Sequence, residues 1–258
     1  MASGKDRAVG LATRSGAEPN EARGASPRNL TYAMLDEVGR AIVTGAYEAT
    51  SFPTEAELAQ RYGVSRSVTR EAVKMLTAKG LLTARPRKGT SVQPSTSWNL
   101  FDPDVLRWLL ERKFSLRLLR QFSDLRIAIE PAAAGLAAAA RDPEGVAGIR
   151  AGFARMEAAE AGGDDPLEAD IAFHIAMLNA SANPFYMQFR DLVTTALRTS
   201  IRFTNRFHGR TASLPAHRAV LDSIEAGDRE AARAAMAAII EDVMVLIADA
   251  EAAGDDGA

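Results

Sequence analysis

The chain has 258 residues, with 31 Lys or Arg residues, 33 Asp or Glu residues and a formal net charge of -2. It contains no cysteine, which excludes disulfides and thiolate metal sites. The length allows two domains, each with its own core. No apolar run reaches membrane-spanning length, so we expect a cytoplasmic protein with no membrane partner.

The two ends of the chain have the composition of unfolded tails. Residues 1–28 are rich in Gly, Ala, Ser, Arg and Glu, with almost no large apolar side chain. Such a segment cannot offset its own ordering entropy, and it lacks the apolar core of a signal peptide. We predict disordered tails over residues 1–28 and 251–258.

The segment PTEAELAQRYGVSRSVTREAVKMLTAKGLL, which begins at Pro53, predicts a helix-turn-helix. Thr54 and Glu57 form a capping box that starts a short helix, and Gly63 ends it. Ser65 caps a second helix, whose apolar stripe is Val68, Ala72, Met75 and Leu76. Two helices joined by a tight turn form the DNA-binding pattern.

A β-hairpin is predicted directly after this pair of helices. Gly80 ends the second helix, and Leu81–Ala84 and Thr90–Gln93 can pair around a basic turn. The turn residues are Pro86, Arg87, Lys88 and Gly89. A hairpin in this position is the wing of a winged helix-turn-helix.

Charge supports a nucleic-acid partner for this segment. Residues 61–88 hold eight basic residues and one acid, a local charge of +7, which leaves -9 for the remainder of the chain. Arg66 and Arg70 lie one turn apart at the start of the second helix, where side chains of a recognition helix reach base edges. The alternative is that the arginines only solvate an exposed face.

These motifs resemble the DNA-binding domain of the GntR family of bacterial transcription regulators, over residues 29–93. The resemblance implies operator contacts by Arg66, Arg70 and the wing-tip Gly89. Our predicted DNA-binding set is Ser65, Arg66, Ser67, Arg70, Lys88, Gly89 and Thr90. This chain has Ala56 where many members have a DNA-contacting arginine, so its affinity or base preference should differ.

The remainder, after a linker over residues 94–102, predicts an all-α domain over residues 103–250. Apolar residues recur at helical spacing, with no period-two alternation. The predicted helices are Pro103–Lys113, Ser115–Ala140, Pro143–Ala161, Pro166–Ala180, Pro184–Phe207, Pro215–Ala226 and Asp228–Ala250. We expect an antiparallel bundle in which Pro131 bends the second of these helices.

Two i,i+4 pairs in this domain could carry chemistry. Arg126 and Glu130 lie on one helix face, where the ordinary expectation is a surface salt bridge. Asp170 and His174 could together bind one ion, and His217 could supply a third ligand. Spacing alone leaves open that both histidines are hydrogen-bonded structural groups.

The order of these motifs resembles the FCD effector domain of the FadR subfamily. The resemblance implies a divalent metal ion held by Asp170, His174 and His217, zinc in the first instance, with nickel, manganese or iron as alternatives. A further histidine of metal-binding members is replaced here, near Ile239, which leaves an open side for water or effector. Predicted effector-binding residues are Arg126, Glu130, Asn183 and Arg198.

The linker STSWNLFDPDVLRWLLE resembles that of family members that sense sugar acids, although Trp98 and Trp108 could simply join the two domains. We therefore predict a homodimeric repressor that binds a pseudo-palindromic DNA operator and is released by a small carboxylate such as galactonate or gluconate. The alternatives are a metal-independent regulator of the acyl-CoA or amino-acid type, and a metal-dependent hydrolase, because three ligands and an open position also suit hydrolysis.

Overall fold

The computed structural model describes residues 27–48, 51–85, 89–113, 115–207 and 212–253. In this part of the chain a single two-stranded sheet accompanies a mainly helical fold, which confirms the predicted fold class. The N-terminal elements are α1 (Pro27–Val43), α2 (Glu55–Tyr62), α3 (Arg66–Ala78), β1 (Leu82–Arg85), β2 (Gly89–Val92) and α4 (Pro103–Leu109). The C-terminal elements are α5 (Leu116–Ala140), α6 (Pro143–Glu160), α7 (Pro166–Ala180), α8 (Pro184–Met187), α9 (Arg190–Phe207), α10 (Leu214–Ala226) and α11 (Arg229–Ala252).

Local capping interactions build the helix-turn-helix as predicted. The Thr54 backbone N–H donates to Glu57 Oε2 at 2.8 Å, and the Glu57 N–H donates to Thr54 Oγ1 at 3.3 Å. Gly63 takes the left-handed conformation that ends α2, with φ of 63°. Ser65 Oγ accepts from the Val68 N–H at 3.3 Å and starts α3.

The predicted hairpin forms with each strand shifted by one residue. Leu82 pairs with Val92, and Arg85 pairs with Gly89. The predicted turn residues Pro86, Arg87 and Lys88 lie outside the described residues, as do most of the two predicted tails. Helix α1 begins at Pro27 and α11 continues to Ala252, so both helices extend into segments predicted to be tails.

Helix α4 packs with the winged helix rather than only with the bundle. Trp108 is fully buried in the N-terminal core, and its ring lies so close to Gly39 on α1 that a Cβ there would approach it within 2.2 Å. Trp108 Nε1 donates to Asp36 Oδ1 at 2.9 Å. The helix predicted over Pro103–Lys113 ends at Leu109. The N-terminal core includes residues of α4, so it extends past the predicted domain boundary at residue 93.

The linker is held against the end of α3. Lys79 Nζ contacts Asp102 Oδ2 at 2.7 Å and Asp104 Oδ2 at 2.9 Å, and the Lys79 carbonyl accepts from the Asn99 N–H at 2.9 Å. Burial lowers the pKa of Lys79, but the two carboxylates outweigh it and raise this pKa. The contacts join α4 to α3 through the linker.

Helices α5 to α11 form the predicted antiparallel bundle, in which α5 packs on α11 and α6 on α7. Five of the predicted helices, α5, α6, α7, α10 and α11, match within two residues at each end. The predicted helix Pro184–Phe207 is divided into α8 and α9, because the chain leaves the helix at Gln188 and Phe189. Among the described residues, no helix has the length and hydropathy needed to cross a membrane.

Helix α9 contributes to two hydrophobic cores of the described residues. Leu192 and Ala196 belong to the N-terminal core with Trp108, whereas Val193 and Leu197 belong to the core of the bundle. These positions follow helical spacing, so two faces of one helix serve two domains. A displacement of α9 therefore changes the packing of both.

Candidate metal centre and DNA-binding surface

Asp170, His174 and His217 meet at one buried point inside the bundle. Asp170 and His174 lie one turn apart on α7, and His217 lies on the first turn of α10. Asp170 Oδ1 lies 3.6 Å from His174 Nε2 and 3.1 Å from His217 Nε2, and the two Nε2 atoms are 3.4 Å apart. The structure thus brings the three predicted ligands together.

The size of this triangle fits a transition-metal ion. A circle through the three atoms has a radius of about 2.0 Å, close to the Zn–N and Zn–O distances of about 2.0 to 2.2 Å. An ion held between the three atoms would therefore contact each of them at a normal distance. Tetrahedral zinc spaces its nitrogen and oxygen ligands about 3.3 Å apart, which is close to the edges measured here.

The outer nitrogen of each imidazole is fixed by an oxygen acceptor. His217 Nδ1 lies 2.8 Å from the Ser213 carbonyl, and His174 Nδ1 contacts Glu130 Oε2. Burial raises the pKa of Glu130, but Arg126 and His174 outweigh it and lower this pKa to about 2, so Glu130 is ionised. Because a carbonyl and an ionised carboxylate can only accept, both Nδ1 atoms carry hydrogen.

In the neutral form of each imidazole, which is the form that binds metal, Nε2 presents a lone pair towards Asp170 Oδ1. Oδ1 is itself a buried atom that accepts no hydrogen bond within the described part of the chain. His217 Nε2 lies 3.1 Å from Oδ1, and in its neutral form it has no hydrogen there to donate. Two imidazole lone pairs and a carboxylate that face one another suit a bound cation, and this pattern of imidazole, carboxylate and outer hydrogen bond is typical of zinc ligands.

Arg126 and Glu130 form a buried pair rather than a surface salt bridge. Arg126 Nε lies 2.5 Å from Glu130 Oε1, and both side chains are almost fully buried. Glu130 was predicted to bind effector, but it is fully buried, does not line the cavity and is occupied by Arg126 and His174. Its role in the structure is to position these two side chains.

A cavity of about 150 Å³ opens on the three ligands. Its polar wall includes Arg126, Asp170, His174, Ser200, Ser213, His217 and Asp242. Its apolar wall consists of Leu197, Ala212, Ala216, Ile239, Val243 and Leu246. Ile239, the predicted position of the missing histidine, is thus on the cavity wall, and an ion would keep an open coordination position.

The structure does not bring two of the predicted effector residues to this cavity. Asn183 caps the short helix α8, where its Oδ1 accepts from the Phe185 N–H at 3.0 Å. Arg198 lies on another face of α9 and pairs with Glu168 at 2.7 Å. Neither side chain lines the cavity.

Ser213, Ser200 and Asp242 were missed by the sequence analysis. Ser213 fixes His217 through its backbone carbonyl, which any residue type would supply, so the sequence carries no signal for it. Ser200 lies two residues after the predicted Arg198 on the same helix, a spacing that places the two side chains on different faces. Asp242 lies three residues after Ile239, a helical spacing that could have indicated a shared face.

The predicted DNA-binding residues of α3 lie on its exposed first turns. Arg66 and Ser67 are exposed, and the side chain of Arg70 is 65% exposed, with only a loose contact of 3.8 Å to Glu55. Gly89 opens β2 with φ of 79° and has open space where a Cβ would be. Lys88 lies outside the described residues, and Thr90 follows Gly89 in β2.

Comparison with known families agrees with both halves of this architecture. The sequence model of "Bacterial regulatory proteins, gntR family" matches residues 32–92, and the model of the FCD domain matches residues 121–242. The chain belongs to the GntR family and carries an FCD domain. It is a DNA-binding transcriptional regulator and not an enzyme, which excludes the hydrolase alternative.

Three relatives of this GntR-family regulator, all from Escherichia coli (strain K12), span most of its length. It is 35% identical to the HTH-type transcriptional regulator YieP, over 84% of this chain and 94% of that protein. It is 33% identical to the galactonate operon transcriptional repressor, over 82% of this chain and 94% of that protein. It is 30% identical to an L-lactate dehydrogenase operon regulatory protein, over 82% of this chain and 84% of that protein.

A first prediction concerns metal binding by the three ligands. Added zinc should raise the melting temperature of chelator-treated protein by mass action, and His174→Ala should abolish this rise. Asp222→Ala, which removes an exposed carboxylate from α10, should leave it intact. Differential scanning fluorimetry with and without zinc measures the effect. An equal rise for His174→Ala and the wild type would contradict the site.

A second prediction concerns Glu130. In Glu130→Gln the amide oxygen can accept a hydrogen bond from His174 or from Arg126, but the uncharged amide cannot neutralise the buried guanidinium of Arg126. Zinc affinity should fall about 10- to 100-fold, and the free energy of unfolding should fall by about 3 to 5 kcal/mol. Glu157→Gln, in an exposed pair with Arg218, should cost less than about 1 kcal/mol. Wild-type zinc affinity in Glu130→Gln would rule out the positioning role.

A third prediction concerns the recognition helix. Arg66→Ala and Arg70→Ala should each weaken operator binding by about 1 to 3 kcal/mol and relax preference at one base pair per half-site. Lys88→Ala should mainly reduce the salt dependence. The measurement is a gel-shift titration at matched salt, with an operator selected from a random-sequence pool. Full affinity in both arginine variants would show that α3 is not the reading helix.

Proposed function

We propose that this regulator is a homodimeric repressor of a carbohydrate-acid catabolic operon, released from a pseudo-palindromic operator by a small hydroxycarboxylate. The observation that carries the proposal is the convergence of Asp170, His174 and His217 beside Arg126 in one cavity. Two imidazoles and one carboxylate suit zinc, with nickel, manganese or iron as alternatives. A bound ion would supply a positive charge with an open position for an anion.

Arg126 is oriented to contribute to anion binding. Its Nε and one Nη2 hydrogen face Glu130, which leaves the other guanidinium hydrogens free to reach into the cavity that Arg126 lines. Glu130 fixes the plane of the guanidinium before any ligand arrives. A carboxylate would then be held between the ion and Arg126 by charge-assisted hydrogen bonds.

The volume of the cavity favours a small ligand. A cavity of about 150 Å³ with ionisable and hydroxyl groups in its wall suits a small polar ligand better than a long-chain acyl-CoA. Two relatives are named for galactonate and for L-lactate metabolism, and both compounds are 2-hydroxycarboxylates. The polar groups of Ser200, Ser213 and Asp242 favour a polyhydroxylated acid such as galactonate or gluconate over lactate.

Helix α9 offers a route from the cavity to the DNA-binding domain. Leu197 lines the cavity, whereas Leu192 and Ala196, within two turns on the same helix, pack in the core that contains Trp108. A shift of α9 on effector binding would therefore displace α4 and the winged helix. In a two-fold dimer this changes the spacing of two recognition helices, so effector must bind the DNA-free form more tightly.

A fourth prediction tests effector release. Galactonate or gluconate should release the zinc-loaded repressor from its operator in a gel-shift assay, and chelator should prevent this release. Arg126→Lys keeps the charge but loses the planar fork, so it should weaken the response at least about tenfold. Arg198→Ala, which alters an arginine outside the cavity, should respond like the wild type.

Two results would contradict this function. Release by an acyl-CoA or an amino acid, with no response to any sugar acid, would replace the proposed effector class. Equal release by galactonate with and without metal would remove the ion from the mechanism.

A further inference from the structure

Asp242 is an acidic side chain on the wall of a cavity proposed to bind an anion. Helix α11 presents Ile239, Asp242, Val243 and Leu246 to the cavity, the i, i+3, i+4, i+7 stripe of one helix face. Its other three members are apolar. The helix thus places one carboxylate within an otherwise apolar part of the wall.

Asp242 also has no partner of its own. No hydrogen bond or ion pair to it occurs among the described residues, whereas Arg126, Glu130 and Arg198 are all paired. The residue is exposed, so solvent reaches its charge at the cavity mouth. An unpaired carboxylate repels a second anion but accepts hydrogen bonds from hydroxyl groups.

Asp242 lines the same cavity as the three metal ligands but is not one of them. It lies outside the group whose ligand atoms gather within 4.8 Å, so it is not part of the proposed ion's described ligand set. The carbon chain of a six-carbon acid spans about 6 Å from its first to its last carbon, so an acid held by its carboxylate at the metal extends along the cavity that Asp242 lines.

We propose that Asp242 selects the effector by the end remote from its carboxylate, accepting a hydrogen bond from a terminal hydroxyl and rejecting a second carboxylate. This inference rests on the proposed function, because it requires the first carboxylate to be held at the metal and Arg126. The recognised class is a monocarboxylate with hydroxyl groups along four to six carbons.

The test is calorimetric titration of the zinc-loaded, full-length protein with three acids. Galactonate carries a terminal hydroxyl, galactarate carries a second carboxylate in its place, and L-lactate is too short to reach Asp242. Asp242→Ala should weaken galactonate binding about tenfold or more, since hydrogen bonds to charged groups are strong, and should leave L-lactate binding within twofold. Asp242→Asn should strengthen galactarate binding at least about tenfold.

The control variant is Glu241→Ala, which removes a neighbouring exposed carboxylate that does not line the cavity. It should bind all three acids like the wild type. Zinc affinity, measured separately, should be unchanged in Asp242→Ala, because Asp242 lies outside the described ligand group.

Each contrary outcome has a distinct meaning. Wild-type galactonate affinity in Asp242→Ala would overturn the role of Asp242 and leave the proposed function standing. An equal loss in Glu241→Ala would show a general charge effect and also overturn it. Loss of zinc from Asp242→Ala would make Asp242 a metal ligand instead. Failure of the wild type to bind any of the three acids would contradict the proposed function itself.

Discussion

The hydrogen bond from His174 to Glu130 is the constraint on which the centre of this molecule depends. It places a hydrogen on Nδ1, so in the neutral imidazole the Nε2 lone pair faces Asp170. Glu130 remains ionised in a fully buried position because Arg126 lies beside it. One carboxylate therefore orients a proposed metal ligand and a proposed anion-binding group at the same time, and both face one cavity.

Helix α9 gives this centre a mechanical connection to the DNA-binding domain. The winged helix, the linker and α4 are joined by Trp108 and by the Lys79 ion pairs, so they form one packed unit. Helix α9 packs on that unit with one face and lines the cavity with another. Packed cores respond to displacement by switching between discrete packing arrangements, so a helix shared by two cores can link the packing of one to that of the other.

Local sequence signals predicted most of the fold. The capping box of Thr54 and Glu57, the left-handed Gly63 and the Ser65 cap act within four residues, and each is visible in the sequence. The pair Asp170 and His174 is likewise local, one turn apart on α7. Because such signals need no knowledge of tertiary packing, they locate the helix-turn-helix and two of the three metal ligands.

The remaining features depend on contacts between distant residues. His217 joins Asp170 through the packing of α10 on the bundle; the sequence offered it as a third candidate, and the resemblance assigned it as a ligand. Glu130 meets a partner 44 residues away, so a surface salt bridge was the ordinary expectation for its pair with Arg126. Arg198 pairs with Glu168, and α4 packs in the N-terminal core through the buried Trp108. Hydrophobic periodicity reveals neither of these contacts.

The central claim is that Asp170, His174 and His217 hold one metal ion with an open position towards the cavity. Anomalous diffraction at the zinc edge, from crystals grown with zinc and galactonate, tests it most directly. We predict a single strong peak about 2.0 to 2.2 Å from the three ligand atoms, with galactonate oxygen completing the coordination. A peak elsewhere, or none between these residues, would contradict the account.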